Sequence, residues 1–407
     1  MKVYSFIFII LLATSLSCAQ DKKKGEIETA LRSGSNYVIN TMIDAEGKSK
    51  CDYDMVGGKW YPYEELWHTG QAIYGLVEAY RVLKDDELLK AAIKSGDWWI
   101  DQEFKDDPWL KGMINAAHGD KLGNLINFTT ITDGTNGIFE LYRASNNSKY
   151  AETCVRAGDW MIENMYLPEE GMFYNILDVD NKKVWTDKSP HHDVEKASIT
   201  QVARPNNEGY LFYDLYLFTK DEKYKEVFIN LCESLVRRQG KEGLWMDFEP
   251  NNPETGQFHP RFNLWYAESL LKGYELINDK RYLEAALKTA RFYRDFQQKD
   301  GTFYYFQNID GSVNKNSVTG SAVSFAGIIW LQLKQLGYDE FDKSIETSVK
   351  WVLKNRFPED HPDPNLQGAF FETRTKNKKK GYQIMMRDIA TSFGLRFLSN
   401  YYLNAYQ

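Results

Sequence analysis

The chain of 407 residues has few cysteines, few prolines and no excess of positive charge. Its four cysteines, Cys18, Cys51, Cys154 and Cys232, show no metal-ligand spacing. With Cys18 set aside for the lipidation described below, an odd number remains, so neither a disulfide framework nor a zinc site is indicated. The 11 prolines are scattered, and no Pro/Ser/Gly-rich stretch or charge run divides the chain. Nothing marks a linker between domains. A formal net charge of −7 argues against a nucleic-acid partner, which requires a basic face. Long apolar runs are missing too: Phe6–Ala13 is too short to span a bilayer as a stable helix.

That short run has a context. Lys2 precedes it, and Thr14-Ser15-Leu16-Ser17 leads from it to Cys18, the pattern of a secretory signal that ends before a cysteine. Ser15-Leu16-Ser17-Cys18 resembles a lipobox. The resemblance implies a signal peptide over 1–17, a lipidated Cys18 and attachment to the membrane of a bacterial cell envelope. An ordinary signal peptide cut nearby is the alternative, with Cys18 incidental. Residues 18–25, with Asp21-Lys22-Lys23-Lys24, read as a solvated tether, and 26–407 as one domain.

Aromatics are plentiful, with 11 Trp and 26 Tyr. A repeat organises them at intervals of roughly 55 to 75 residues. Asp85-Asp86-Glu87-Leu88, Asn147-Ser148-Lys149-Tyr150, Asp221-Glu222-Lys223-Tyr224, Asp279-Lys280-Arg281-Tyr282 and Asp339-Glu340-Phe341 each open an amphipathic segment behind a polar turn and a capping Asp or Asn. Ahead of each lies a segment apolar nearly all round: Gly70–Leu83, Thr135–Ala144, Gly209–Phe218, Leu264–Ile277 and Ser321–Leu336. Such helices belong inside. Ile27–Met42 and Ile389–Leu403 supply an outer and an inner member of a sixth pair. The expected fold is all-α, an (α/α)6 toroid.

Loop lengths then separate two faces. Inner-to-outer connections are short, whereas outer-to-inner ones run over 104–132, 166–208, 239–263, 299–320 and 356–387. All the long ones emerge on one face, where function concentrates. Gly171-Met172-Phe173-Tyr174, Gly243-Leu244-Trp245, Gly301-Thr302-Phe303-Tyr304 and Gly368-Ala369-Phe370-Phe371 predict short β-hairpins around its mouth. His68, His118, His191, His192, His259 and His361 all fall there or at its rim.

Three segments carry chemistry. In His259-Pro260-Arg261-Phe262-Asn263-Leu264-Trp265-Tyr266, Asn263 and Tyr266 share a helix face, with Arg261 and His259 just upstream. That set suits β-elimination from a uronate: Arg and Asn neutralise the carboxylate, His or Tyr removes the C5 proton, and Tyr protonates the oxygen leaving C4. The bland reading makes Tyr266 and Trp265 core and Arg261 a helix-start ion pair. Ser189-Pro190-His191-His192-Asp193 and Ala203-Arg204-Pro205-Asn206-Asn207-Glu208 add His191 as a candidate base and Arg204 and Asn207 as substrate ligands. Asn207 also reads as a helix cap. Adjacent ligands point apart, so no metal and no cofactor is expected at His191-His192-Asp193. In Asn127-Phe128-Thr129-Thr130-Ile131-Thr132-Asp133, Asp133 either binds a sugar hydroxyl or caps a helix. His68 and Arg387-Asp388 occupy equivalent helix starts and carry the same dual reading. A glycosidase would need two facing carboxylates. Asp133, Glu208, Asp247 and Glu249 qualify by type, with nothing in their spacing to pair them.

The helical pairing from about 26 to 404 resembles the toroidal uronate-active enzymes of Bacteroidota lipoproteins. These are polysaccharide lyases of alginate, glucuronan or ulvan type and, more distantly, unsaturated glucuronyl hydrolases. His191-His192-Asp193-Val194-Glu195 departs from the His-Asp-x-Gly segment of the hydrolases. The resemblance implies a carbon–oxygen lyase acting on an anionic oligo- or polysaccharide, its leaving group a sugar or water. Tyr266, His191 and His259 would be catalytic, and Arg204, Asn207, Arg261, Asn263, Asp133 and His68 would bind substrate. A glycoside hydrolase of the unsaturated glucuronyl type, a sugar epimerase and a non-catalytic glycan-binding protein are the alternatives.

Overall fold

The alternation of apolar and amphipathic segments becomes an alternation of inner and outer helices. The computed structural model describes residues 2–119, 122–190, 196–376 and 383–406, with side chains from 20 onward except those of 376 and 383. The outer helices are α1 (Lys2–Tyr37), α3 (Asp86–Ile100), α5 (Lys149–Met165), α8 (Glu222–Arg238), α10 (Lys280–Phe296) and α12 (Asp342–Lys354). The inner ones are α2 (Glu65–Leu83), α4 (Phe128–Ser145), α7 (Leu211–Thr219), α9 (Phe262–Ile277), α11 (Gly320–Gln335) and α13 (Ile389–Tyr406), with a single turn, α6 (Ile199–Val202), between α5 and α7. Among the inner helices, α2 packs on α4 and α13, α13 on α11, and α11 on α9. A 3-10 turn, Glu208–Tyr210, bridges α4 and α9 ahead of α7. The six pairs close into an (α/α)6 toroid.

A shared local device makes the short connections. Lys84, Asn146, Lys220 and Asn278 each end an inner helix in the left-handed region and return their N–H to the carbonyl of Tyr80, Tyr142, Tyr216 or Tyr274. The next outer helix follows at once, with Asp85, Asp221 and Asp279 accepting a hydrogen bond from the backbone two residues on. The carboxylate satisfies a helix N–H that has no partner within the helix. Helix α4 begins earlier than its apolar periodicity suggests, at Phe128 rather than Thr135. Thr129, Thr130, Ile131 and Thr132 are β-branched and weak helix formers, but tertiary packing holds them helical.

Residues 18–25 lie within α1, and Lys23 places its Nζ 2.5 Å from Glu346 and 2.6 Å from the Tyr401 hydroxyl. The Cys18 side chain lies outside the described part, while Cys51, Cys154 and Cys232 are buried and free. Among the described residues, no helix is long and apolar enough to cross a membrane.

On the long-loop face the hairpins have merged into sheets. One has seven strands: β1 (Asp52–Asp54) and β2 (Lys59–Tyr61), β10 (Gln257–Phe258), β11 (Tyr304–Asn308) and β12 (Val313–Val318), and β13 (Thr373–Lys376) and β14 (Gln383–Met386). Their order, β10-β11-β12-β13-β14-β1-β2, joins loops from four different helix pairs. A second sheet pairs β3 (Ala117–Gly119), β4 (Gly123–Asn127), β7 (Ile176–Asp178) and β8 (Lys183–Val184), and a third pairs β5 (Tyr166–Leu167), β6 (Met172–Tyr174) and β9 (Ala203–Arg204). Of the four Gly-x-aromatic segments, those at Gly171 and Gly301 lead into strands, and those at Gly243 and Gly368 do not.

The inner helices enclose charge between them. Arg396 is 1% exposed, lies 3.0 Å from Glu268 and 3.1 Å from Gln71, and stacks on Tyr74. Beside it, Arg81 bridges Glu78 and Glu140, and Arg143 bridges Glu140 and Asp214. Burial outweighs the arginines and raises both Glu78 and Asp214 to about 7. A raised carboxylate contributes stability in full below its ordinary pKa and loses it as pH rises through the folded value. Melting temperature should therefore fall from pH 5 to pH 8, by about 1–3 kcal/mol of stability per group. Glu78→Gln should flatten part of that fall in a thermal-shift series; an unchanged slope would remove Glu78 from the account.

Candidate functional site

The long loops wall a cleft of about 890 Å³ over the N-terminal ends of the inner helices, a size that suits a sugar ligand. Trp67, Asp133, Glu208, Arg261 and Trp265 are among its lining residues.

Two carboxylates meet there. Asn127 caps α4, accepting from the Thr129 N–H at 3.3 Å, so Asp133 is not a cap. It sits in the second turn and turns toward the cleft. Glu208 comes from the 3-10 turn ahead of α7, where Gly209 has φ +73° and presses on the Thr132 carbonyl, with Asp133 Cα 3.4 Å from where a Cβ would stand. A side chain there would collide with that carbonyl. The glycine thus sets Glu208 against Asp133. Burial raises Asp133 well above the carboxylate range, and the neighbouring Glu208 charge adds to it against the pull of Arg204. Burial also raises Glu208, but Arg204, whose Nε lies 3.7 Å from it, opposes the rise. Glu208 ionises first, and Asp133 keeps its proton.

A third carboxylate behaves differently. Glu64 accepts from His118 Nε2 at 2.8 Å and Trp67 Nε1 at 2.9 Å. Burial works to raise it, yet the His118 hydrogen bond and charge, with Trp67, hold it at about 2. Glu64 is a fixed anion.

The arginines are largely committed to the protein. Arg204 donates to the Glu249 carbonyl at 2.7 Å and to Thr129 Oγ1 at 2.8 Å. Arg261 donates to Ser321 at 2.7 Å and to buried Glu372 at 3.1 Å. Arg387 pairs with Asp52 at 2.9 Å and reaches the Tyr63 hydroxyl. His259 sits among them. Burial first, then Arg261, Arg387, Arg374 and Arg204, push its pKa well below the usual value. The ring is neutral, with Nδ1 accepting from the backbone N–H groups of Arg261 and Phe262, both at 3.3 Å. Its proton therefore lies on Nε2, 3.1 Å from the Tyr305 hydroxyl.

Of the residues expected from sequence, Asp133, Arg204, His259 and Arg261 line the cleft. Tyr266 does not: it is fully buried, its hydroxyl beside Glu208 and beneath the wall. Asn263 is spent on the Trp245 N–H at 2.9 Å and on Asn251, and Asn207 reaches Cys232 Sγ at 3.6 Å. His68 is buried against Asp388, Nδ1 to Oδ1 2.5 Å. His191 lies outside the described residues. Asp52, His68 and Asp388 bring ligand atoms within 4.8 Å of one another. Two of these contacts already serve the fold: Ser49 donates to Asp388 at 2.6 Å, and Arg387 pairs with Asp52. Sequence reasoning passed over Glu64, Tyr305 and Arg374, and it left Glu208 unpaired. Asp133-Gly134 and Glu208-Gly209 carried a signal, an acid followed by a glycine at two inner-helix starts.

The fold is shared with solved sugar enzymes. A cellobiose 2-epimerase from Bacillus thermoamylovorans superposes with a TM-score of 0.68 at 14% identity, covering 92% of this chain and 99% of that one. A D-mannose isomerase gives 0.66 at 15% identity, covering 93% and 97%. An unsaturated glucuronyl hydrolase specific for heparin gives 0.66 at 11%, covering 93% and 97%. No curated protein matches the sequence. The family model described as beta-L-arabinofuranosidase, GH127 catalytic domain, matches residues 15–240. This overturns the expected lyase: the family is one of glycoside hydrolases. The protein is an enzyme acting on sugars. The match spans more than half of the sequence, and the chain belongs to the β-L-arabinofuranosidase GH127 catalytic-domain family.

Proposed function

We propose that the protein hydrolyses glycosidic bonds in this cleft, with Asp133 as proton donor and Glu208 as the ionised carboxylate beside it. One observation carries the reading. Two carboxylates, Glu208 buried and Asp133 half-buried, share a wall, and their surroundings split their roles: Asp133 is held protonated, and Glu208 is steadied by Arg204. An acid that keeps its proton at neutral pH can deliver it to the departing oxygen, while the neighbouring charge stabilises the oxocarbenium-like transition state. Both residues lie within the matched span 15–240, which supports the reading. The lipobox-like segment before Cys18 supports an enzyme anchored at the cell envelope.

The test is release of free sugar from a glycoside panel. It should include a 4-nitrophenyl β-L-arabinofuranoside, after the family, and an unsaturated uronyl disaccharide, after the structural neighbour. Glu208→Gln should lower kcat by about a hundredfold or more on whichever glycoside is cleaved. Retained turnover in that variant, or binding of the panel without cleavage by the wild type, would remove the proposal.

A further inference from the structure

One corner of the cleft brings together Arg374 and Tyr305. Arg374, on β13, lines the cleft half-buried and stacks on the Tyr305 ring, 4.7 Å from its centroid. Among the described residues it has no carboxylate partner, unlike Arg204, Arg261 and Arg387. A guanidinium in such a place is a ready partner for a planar anion.

Tyr305 beneath it is fixed as a donor by its neighbours. The Nε2–H of neutral His259 reaches its oxygen at 3.1 Å, and Arg387 Nη1 donates to it at 3.4 Å. A phenol oxygen has one hydrogen to give and two lone pairs to accept with. With both accepting directions taken, the Tyr305 O–H has no acceptor among the described residues and is left for the cleft. Burial is the first cause of the depressed basicity of His259, and the charges of Arg261, Arg387, Arg374 and Arg204 add to it. Trp67 and Trp265, both largely buried, also line the cleft.

We propose that Arg374 and Tyr305 form a subsite for an anionic group, a carboxylate or a sulfate, borne by the sugar substrate. The inference rests on the hydrolase reading for its location in the active cleft, but recognition does not require turnover. An anion here takes donors from Arg374 and Tyr305, and a neutral hydroxymethyl group in its place leaves Arg374 without an ionic partner.

Calorimetric titration tests this with three probes: a glucuronic-acid-capped disaccharide, its carboxyl-reduced neutral counterpart, and the neutral disaccharide sulfated at the primary hydroxyl. Wild type should bind at least one acidic probe about tenfold or more tightly than the neutral one, since a hydrogen bond to a charged group is worth about 1.5–3 kcal/mol. The preferred acidic probe tells carboxylate from sulfate. Arg374→Ala should bind all three alike, and Tyr305→Phe should lose part of the preference. Equal binding of the three probes by wild type, no measurable binding of either acidic probe, or a preference that survives Arg374→Ala would each overturn the subsite. An acidic preference lost in Arg374→Ala, in a protein that cleaves no glycoside, would keep the subsite and defeat the hydrolase reading. Cleavage of neutral glycosides with no acidic preference would do the reverse.

Discussion

Asp133→Asn should lower kcat/KM by about two to four orders of magnitude on any glycoside the enzyme cleaves, with the melting temperature held or raised. The substitution keeps the size of the side chain and replaces a carboxyl that is already neutral in the folded state, so it removes a transferable proton and little else. Stability should gain slightly above neutral pH, because the wild-type carboxyl is forced toward ionisation there and the amide is not. The wild-type pH profile should carry the same signature. Rate should fall on the alkaline side as Asp133 loses its proton, at a pH well above the ordinary carboxylate range, and on the acid side as Glu208 gains one. Activity in Asp133→Asn within a factor of about ten of wild type would exclude Asp133 as the acid, whatever the profile.

Gly209→Ala should be nearly as damaging to activity, by a different route. Gly209 combines φ +73° with a backbone carbonyl, that of Thr132, where its Cβ would stand. The left-handed conformation and the forced separation together cost about 2–4 kcal/mol, and the displacement falls on the turn that holds Glu208 against Asp133. Gly171 supplies the control. It too has positive φ, +59°, and a crowded backbone neighbour, the Asn230 carbonyl, but it lies in the β5–β6 turn away from the cleft. Both alanine variants should melt earlier, as followed by calorimetry, while only Gly209→Ala should lose kcat by about a hundredfold or more. Equal kcat losses in the two variants would mean that the Gly209 contact serves stability alone.

Much of this architecture could be read from the chain because it repeats. Each polar turn with its Asp cap, and the apolar segment ahead of it, recurs often enough to give six pairs and a decorated face. What escaped was tertiary. Helix α4 begins at Phe128 because packing overrides three threonines and an isoleucine, and that early start turns Asp133 from a presumed cap into a wall residue. Tyr266 and Asn263 share a helix face as the spacing required, but the face points to Glu208 and Trp245, not to open cleft. His259 was found and its role was not. Its neighbours Arg374 and Tyr305 come from separate loops, and only the sheet brings them together, so the neutrality and donor role of the ring could not be derived from its own segment. The pairing of Asp133 with Glu208 needed the contact at Gly209, which joins two segments some seventy residues apart.

The seven-stranded sheet bears on how this enzyme could be redesigned. Loops carrying Asp52, His259, Tyr305, Arg374 and Arg387 are stitched to one another by backbone hydrogen bonds before any side chain is considered. Transplanting one of them from a relative would sever its ladders to the neighbouring loops and leave unpaired N–H and C=O groups there. The natural unit of exchange is the whole wall, from β10 round to β2, moved as a block onto a recipient toroid.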